Sequence, residues 1–320
     1  MHARRHYNVY ENEAPQVSRP VSHPVPTIAA RFAPRVKLAE PMSRHTSWHI
    51  GGPADVFFTP ADRTDLLAFL ETLPKGTPLF WLGLGSNLLV RDGGIRGVVI
   101  DTTGLDKLEE IDRTTLYSEA GVPCARIARR CIGLELGPAE FFAGIPGTLG
   151  GALSMNAGAF GGETWPRVRA VDVCDARGRE RRRDAREYSY SYRRIVAPVP
   201  GEFFLGAVLA FEHRPGLTDE ALREMIARRK EKQPIGEWSC GSTFTNPPGD
   251  HAARLIEAAG LKGMRIGDIM VSPKHANFLV NVGAASAADV EKLVAHIQME
   301  VKRKFGVSLT PEFRIAGEFA

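Results

Sequence analysis

Two glycine-rich segments are the parts of this sequence best suited to chemistry. The first runs from Gly144 to Gly162, with Ile145, Leu149, Leu153, Met155 and Phe160 set among its glycines. A flexible linker mixes glycine with solvated residues; apolar anchors at this density mean that the segment packs. Such a backbone turns tightly and comes close to a partner. The N–H groups its turns expose can hold an anion or the polar edge of a ring. The plain alternative is a packed turn in a β-rich core. The second segment is Gly83-Leu-Gly-Ser-Asn-Leu88. It is not a dinucleotide fingerprint, because Leu88 fills the sixth position and no helix pattern follows; there is no Gly-Lys-Ser/Thr, so no P-loop either. What remains is a donor-rich turn able to hold a pyrophosphate with N–H groups and the Ser86 and Asn87 side chains, or a simple hairpin turn.

The four cysteines, Cys124, Cys131, Cys174 and Cys240, have neither C-x-x-C nor metal-ligand spacing and read as reduced, buried thiols. No metal site is expected. With 320 residues and 43% hydrophobic content, the chain has room for two domains. No apolar run approaches the roughly 18 residues of a membrane span. The N-terminus lacks a basic-then-apolar signal pattern, which points to the cytoplasm. The net charge is +4, and residues 1–36 supply +3 of it: five arginines against Glu11 and Glu13. The remainder is near neutral, which is no nucleic-acid footprint. The arginine-dense run 177–186 is broken by Glu180 and Asp184 and reads as a solvated hairpin.

The elements that must position these segments follow from pattern. Residues 1–36 are proline-rich with little apolar periodicity, and read as a mobile extension. Asp62 or Thr64 caps a helix with Leu66, Leu67, Phe69, Leu70 and Leu73 on one face, stopped by Pro74. Strands are expected at Pro78–Leu84 and Val98–Ile100. Pro123 opens a helix through Ile132. Val168–Cys174 and Phe203–Phe211 are strands. Near Arg214 the character changes: Thr218 caps a basic helix, Asp250 caps a short one stopped by Gly260, and Ser286 with Asp289 forms a capping-box start to a helix that Gly306 ends.

Several short motifs stand in order along the chain: Ile50-Gly-Gly-Pro-Ala-Asp55; Gly83-Leu-Gly-Ser-Asn-Leu-Leu-Val90; Gly144-Ile-Pro-Gly-Thr-Leu-Gly-Gly-Ala152 with Asn156-Ala-Gly-Ala159; Tyr192-Arg193; Gly241-Ser-Thr-Phe244 with Asn246-Pro247; Ala258-Ala-Gly-Leu-Lys-Gly263; His275-Ala-Asn277; and Pro311-Glu-Phe-Arg314. Each alone is weak; together, over about residues 46–315, they resemble one family, the UDP-N-acetylenolpyruvoylglucosamine reductases. The resemblance implies an α+β fold. A two-subdomain FAD-binding region of the vanillyl-alcohol-oxidase (PCMH) type would span 37–213, its subdomains about 37–103 and 104–213. A smaller α+β substrate-binding domain, 214–320, would follow, with the C-terminal strand returning to the active site.

The same resemblance implies tight, non-covalent FAD held by Gly83, Gly85, Ser86, Asn87 and Leu88 and by Gly144, Pro146, Gly147, Gly150, Gly151, Asn156, Ala157 and Gly158. NADPH would be the reductant. The second substrate would be the UDP-sugar enolpyruvyl ether, which takes hydride from flavin N5 and a proton on its α-carbon to give UDP-N-acetylmuramate, a peptidoglycan precursor. Ser242 would donate that proton, Arg193 would stabilise charge on the substrate carboxylate, and Glu312 would complete the site. A free serine is far too weak an acid at neutral pH without nearby charge and a strongly basic acceptor. Tyr192, Arg193, Asn246, Lys274, His275 and Asn277 would bind substrate, His275 in a structural or diphosphate-facing role. Read without the resemblance, Ser242 is a turn residue, Arg193 one more hairpin cation and Glu312 a surface charge.

The sequence departs from the family pattern in places. Ile195 stands where Ser is usual after Tyr-Arg-x, and Arg194 offers a second guanidinium. Thr245 replaces a common Lys, and Asp268 a common Gly. The short span from Arg193 to Phe203 places the chain in the branch without an extra tyrosine-bearing lid. The competing readings are another FAD-dependent oxidoreductase or oxidase on the same scaffold, and a non-enzymatic nucleotide-binding protein. The Gly241–Pro247 loop and the Pro311–Arg314 tail favour the reductase. The expected partners are the two small-molecule substrates, with neither nucleic acid nor membrane, and the expected state is a monomer.

Overall fold

The structure is a computed structural model that describes residue 26 and residues 28–320. The chain groups into two compact units. One holds Phe57–Gly83 and Gly97–Leu222 with the described residues up to Lys37; the other holds Leu38–Val56, Leu84–Arg96 and Arg223–Ala320. Both mix helices with mainly antiparallel strands, the α+β class expected from sequence.

The first unit rests on a five-stranded antiparallel sheet in the order Glu180–Asp184, Val168–Cys174, Phe203–Ala210, Thr115–Glu119, Leu108–Asp112. The apolar run Phe203–Ala210 takes the central place, and the two charged strands take the edges, where charge discourages further pairing. The arginine-dense run is thus an edge strand, as its solvated reading implies. Arg183 is the exception within it. Its guanidinium is buried and grips both oxygens of Glu202, at 2.6 and 2.7 Å, and Glu187 at 2.7 Å. The same unit holds a parallel strand pair, Leu79–Leu82 beside residues 98–101, in register from Leu79↔Val98 to Leu82↔Asp101.

Helix α1, Arg63–Thr72, starts where its sequence signal lies: the Asp62 side chain accepts the Asp65 N–H at 2.8 Å. It buries Leu66, Phe69 and Leu70. Residues 1–25 and 27, most of the stretch read as a mobile extension, lie outside the described residues. The end of that stretch, Ala30–Arg35, is a 3-10 turn that buries Phe32 edge-on against Phe58 and Phe69. One aromatic residue among prolines carries no periodicity, so the sequence did not announce it.

Helix α2, Cys124–Gly133, buries Cys124, Ile127 and Cys131. The glycine-rich segment then holds a feature its composition concealed, a seven-residue helix α3, Leu149–Met155. The chain first runs beside residues 120–124: Cys124 N–H donates to Gly147 O, Leu149 N–H to Val122 O and Gly150 N–H to Ala120 O, at 2.8–2.9 Å. Asn156, in the left-handed region at φ 47°, ends α3.

Helix α4, Asp219–Lys232, carries the chain into the second unit. The Thr218 hydroxyl accepts the Ala221 N–H at its start. Helix α5, Ala252–Ala258, has His251 rather than Asp250 at its N-cap, and the Asn246 side chain accepts the Ala252 N–H at 3.1 Å. Helix α6, Ala287–Phe305, has the full Ser286/Asp289 capping box and ends at left-handed Gly306. Helices α5 and α6 share one core with a three-stranded sheet of Arg265–Ile266, Ile269–Val271 and Leu279–Asn281. Trp48 anchors this core: it is fully buried, donates its indole N–H to Leu279 O at 2.9 Å and meets Phe313 edge-on. Arg314–Ala316 pairs in parallel with Leu88–Val90. Among the described residues no helix is long and apolar enough to cross a membrane. Nor does any group of three or more His, Cys, Asp or Glu among them form a place for a metal ion.

Candidate active site

In the second unit, four short segments lie side by side. The centre is Thr243–Thr245, immediately after Ser242. Residues Thr310–Glu312 flank it: Thr245 N–H donates to Thr310 O at 3.0 Å and Glu312 N–H to Thr243 O at 2.9 Å, with Phe244 opposite Pro311. These bonds go round Pro311, which has no N–H to give. On the far side of Glu312, the Asn87 side chain donates to Glu312 O at 3.2 Å, and Arg314 N–H donates to Asn87 O. On the far side of Phe244 lies Asn277. Its Oδ1 accepts the Phe244 N–H at 2.9 Å, its Nδ2 donates to Phe244 O at 2.8 Å, and its own carbonyl accepts the Thr243 N–H at 2.8 Å. Ser242 and Glu312, far apart in sequence, are thereby set on neighbouring bridged segments, both half-buried.

The surroundings are apolar and charged by turns. Cys240 is fully buried, and burial, helped by the nearby Glu312 carboxylate, pushes its thiol well above the usual range. The loop 272–278 is folded by the Ser272 hydroxyl, which accepts the Lys274 and His275 N–H groups. Lys274 is exposed and its Nζ donates to Lys230 O, in the last turn of α4, at 2.7 Å. His275 is half-buried and its Nδ1 accepts the Asn277 N–H, which leaves the proton on Nε2 in the neutral ring. Burial first, then Lys262 and Arg229, hold its pKa below the ordinary value, with Glu257 opposing. The turn Gly85–Asn87 is close-packed: Gly85, at φ 59°, accepts the Ser47 N–H, and a Cβ there would collide with His45 O.

In the first unit, Tyr192 and Arg193 form the tip of a hairpin whose strands pair Ser191 with Arg194 and Tyr190 with Ile195. Arg193 is left-handed at φ 57°, a conformation glycine or asparagine normally takes at such a turn. Its Nη2 reaches Gly158 O in the glycine-rich segment at 3.2 Å, and its guanidinium lies 5.0 Å from the Tyr192 ring centre. Arg194, by contrast, is an exposed strand residue. Asn156 fastens this hairpin to α3. Its Nδ2 donates to Ser191 O and to Glu163, and its Oδ1 accepts the Trp165 N–H.

The residues expected from sequence thus take different positions. Arg193 is brought to Gly158, and Ser242 to Glu312. Asn87, Asn156 and Asn277 spend their side-chain amides on the backbone that carries these groups, and Asn246 on the start of α5. Sequence reading missed Thr148. This threonine is buried, its hydroxyl has no hydrogen-bond partner among the described residues, and it faces Gly83 so closely that any side chain at Gly83 would strike it. A cradle of this kind, one unpaired buried hydroxyl beside a bare backbone, fits a polar ring or phosphate of a bound cofactor.

Comparison with known proteins gives these features a context. A model described as an FAD binding domain matches residues 54–183. A second, the C-terminal domain of UDP-N-acetylenolpyruvoylglucosamine reductase, matches residues 233–316. The UDP-N-acetylenolpyruvoylglucosamine reductase of Alkalilimnicola ehrlichii is 55% identical over 281 residues, covering 87% of this chain and 94% of that protein. The one of Methylococcus capsulatus is 52% identical over 281 residues, covering 87% and 92%. The crystal structure of the Thermus caldophilus enzyme superposes with a TM-score of 0.72 at 30% identity, over 91% of this chain and 99% of that one. The FAD-binding region expected from sequence and the smaller α+β region after it are both present. FAD is the cofactor, the Thr148–Gly83 cradle fits it, and the chain is an oxidoreductase. By its two matched domains and its likeness to these reductases over most of its length, the chain belongs to the UDP-N-acetylenolpyruvoylglucosamine reductase family.

Proposed function

We propose that this chain reduces UDP-N-acetylglucosamine enolpyruvate to UDP-N-acetylmuramate at the expense of NADPH, in the cytoplasm and as a monomer. The observation that carries the reading is the hydrogen-bonded pairing of the Ser242 loop with the Glu312 segment, two residues whose types suit proton delivery. The domain division proposed with it is a flavin region at 37–213 and a substrate domain at 214–320. FAD, when bound, supplies the hydride chemistry. Gly83, Gly85, Ser86, Asn87 and Leu88, with the Gly144–Gly158 segment and Thr148, hold it.

Ser242 holds the proton destined for the α-carbon of the substrate. Its hydroxyl gives that proton up only to a strongly basic, carbanion-like acceptor. Arg193 binds the substrate carboxylate and offsets the charge that grows on it. Its reach to Gly158 supports this role over Arg194. Glu312 serves beside Ser242 as acid or hydrogen-bond partner of the enolic carboxylate. Lys274 and His275 present positive charge and an Nε2–H donor to the diphosphate, and Tyr192 and Asn246 line the substrate.

The test is anaerobic and follows flavin absorbance. NADPH bleaches the protein, and the enolpyruvyl substrate restores the colour. Ser242→Ala keeps the first half-reaction and slows the second by about 100-fold or more, the usual worth of a positioned acid; Glu312→Gln behaves alike. A second half-reaction at the parent rate in Ser242→Ala refutes the proton-donor role. A protein unable to take up FAD refutes the whole reading.

A further inference from the structure

We infer that Asn277 is the positioning residue of the Ser242 loop, its side-chain amide standing in for a third strand against Phe244. The inference rests on the proposed role of Ser242. Phe244 sits opposite Pro311, and the bonds on that side go to Thr243 and Thr245, so the N–H and carbonyl of Phe244 point the other way. There they meet one residue. Asn277 Oδ1 accepts the N–H and Asn277 Nδ2 donates to the carbonyl, while the Asn277 carbonyl takes the Thr243 N–H. Both Phe244 and Asn277 are buried, so water cannot stand in for the amide.

Only an amide side chain offers a donor and an acceptor side by side, in the geometry of a peptide group. Asparagine spans the gap here at 2.8–2.9 Å, and the extra methylene of glutamine would carry the amide past it. The amide fixes the register of Thr243–Thr245 against Thr310–Glu312. Ser242 and the Glu312 carboxylate are each attached to that register. A shift of about 1 Å at a reacting group costs up to about 100-fold in rate, which is the scale on which Asn277 acts.

The experiment compares Asn277→Ala, Asn277→Gln, Ser242→Ala and Ser242→Ala/Asn277→Ala, each loaded with FAD. Hydrogen exchange reads the loop itself. The Phe244 amide exchanges at least about 10-fold faster in Asn277→Ala, while amides of α6 are unchanged. Anaerobic half-reactions read the consequence. Reduction by NADPH stays within about two-fold, and reoxidation by the enolpyruvyl substrate falls about 10- to 100-fold, in kcat more than in KM. The double variant is no slower than Ser242→Ala alone, because both act through one group.

Unchanged Phe244 exchange overturns the inference. So does a parent rate of reoxidation despite faster exchange, or losses that multiply in the double variant. If Asn277→Ala does not fold, Asn277→Gln takes its place in the same measurements, and the same results support or overturn the inference. If Ser242→Ala alone leaves reoxidation untouched, the proton-donor reading fails; the exchange result then decides separately whether Asn277 holds the loop.

Discussion

Arg193 gives the sharpest test, because its backbone and its side chain make opposite demands. The residue is left-handed at φ 57°, while its guanidinium holds Gly158 O at 3.2 Å and lies over Tyr192. Replacing it by alanine removes both contacts and keeps the strained backbone. Replacing it by glycine removes the same contacts and releases the strain. The difference between the two variants therefore isolates the strain. A left-handed non-glycine residue costs about 1–2 kcal/mol. The extra freedom of glycine in the unfolded chain returns about 0.4–1 kcal/mol of that. Arg193→Gly should then be more stable than Arg193→Ala by about 0.5–1 kcal/mol, measured by parallel urea unfolding at the same FAD concentration. Both variants should lose substrate-driven flavin reoxidation alike, since neither carries a guanidinium. A position that is more stable as glycine and inactive without arginine is one where the backbone is bent to serve the side chain. Equal stability of the two variants, or a parent rate of reoxidation in either, would refute this account.

Other outcomes follow from buried charge and from titration. Glu202→Ala leaves the buried Arg183 guanidinium with Glu187 as its remaining carboxylate in this trio, and should cost about 3 kcal/mol in chemical unfolding. Burial pushes the Cys131 and Cys174 thiols up to about 12, and raises Cys124 and Cys240 as well. Native protein at pH 8 should therefore resist a thiol reagent that titrates all four cysteines once urea is added. His275 is held below its ordinary pKa, so the unfolded chain takes up a proton near pH 6.5 that the folded chain refuses. Its contribution is complete above pH 6.5 and is lost as pH falls toward the folded value. His275→Gln should flatten the stability profile over that window; an unchanged slope would show that His275 does not titrate differently on folding.

What the sequence made legible was mostly local. Asp62, Thr218, Ser286 and Gly306 mark helix ends because a cap and its partner lie within four residues. The charged edge strand and the buried strand Phe203–Ala210 follow from composition alone. The motifs identified the family. Helix α3 was hidden because Gly150 and Gly151 read as breakers, whereas Gly150 is there to let α3 approach Ala120. The roles of the asparagines were hidden for another reason. Asn156 reaches 35 residues to Ser191, Asn277 reaches 33 to Phe244, and Asn87 reaches 225 to Glu312. A motif shows that an amide is present; only the folded chain shows that its partners are protein backbone and that the amide aims its neighbours.

The parallel pairing of Leu88–Val90 with Arg314–Ala316 has a bearing on biosynthesis. The first strand is made early, yet its partner follows about 225 residues later. At about 5–20 residues per second, roughly 11–45 seconds separate the two on the ribosome. Throughout that interval an apolar strand edge, and the Trp48 pocket completed by Leu279 and Phe313, wait without their partners. The nascent chain thus carries a sticky edge for most of its synthesis. Nonsense or frameshift products ending before residue 314 would keep that edge for good, which makes them natural clients of chaperones and proteases rather than partly active enzyme.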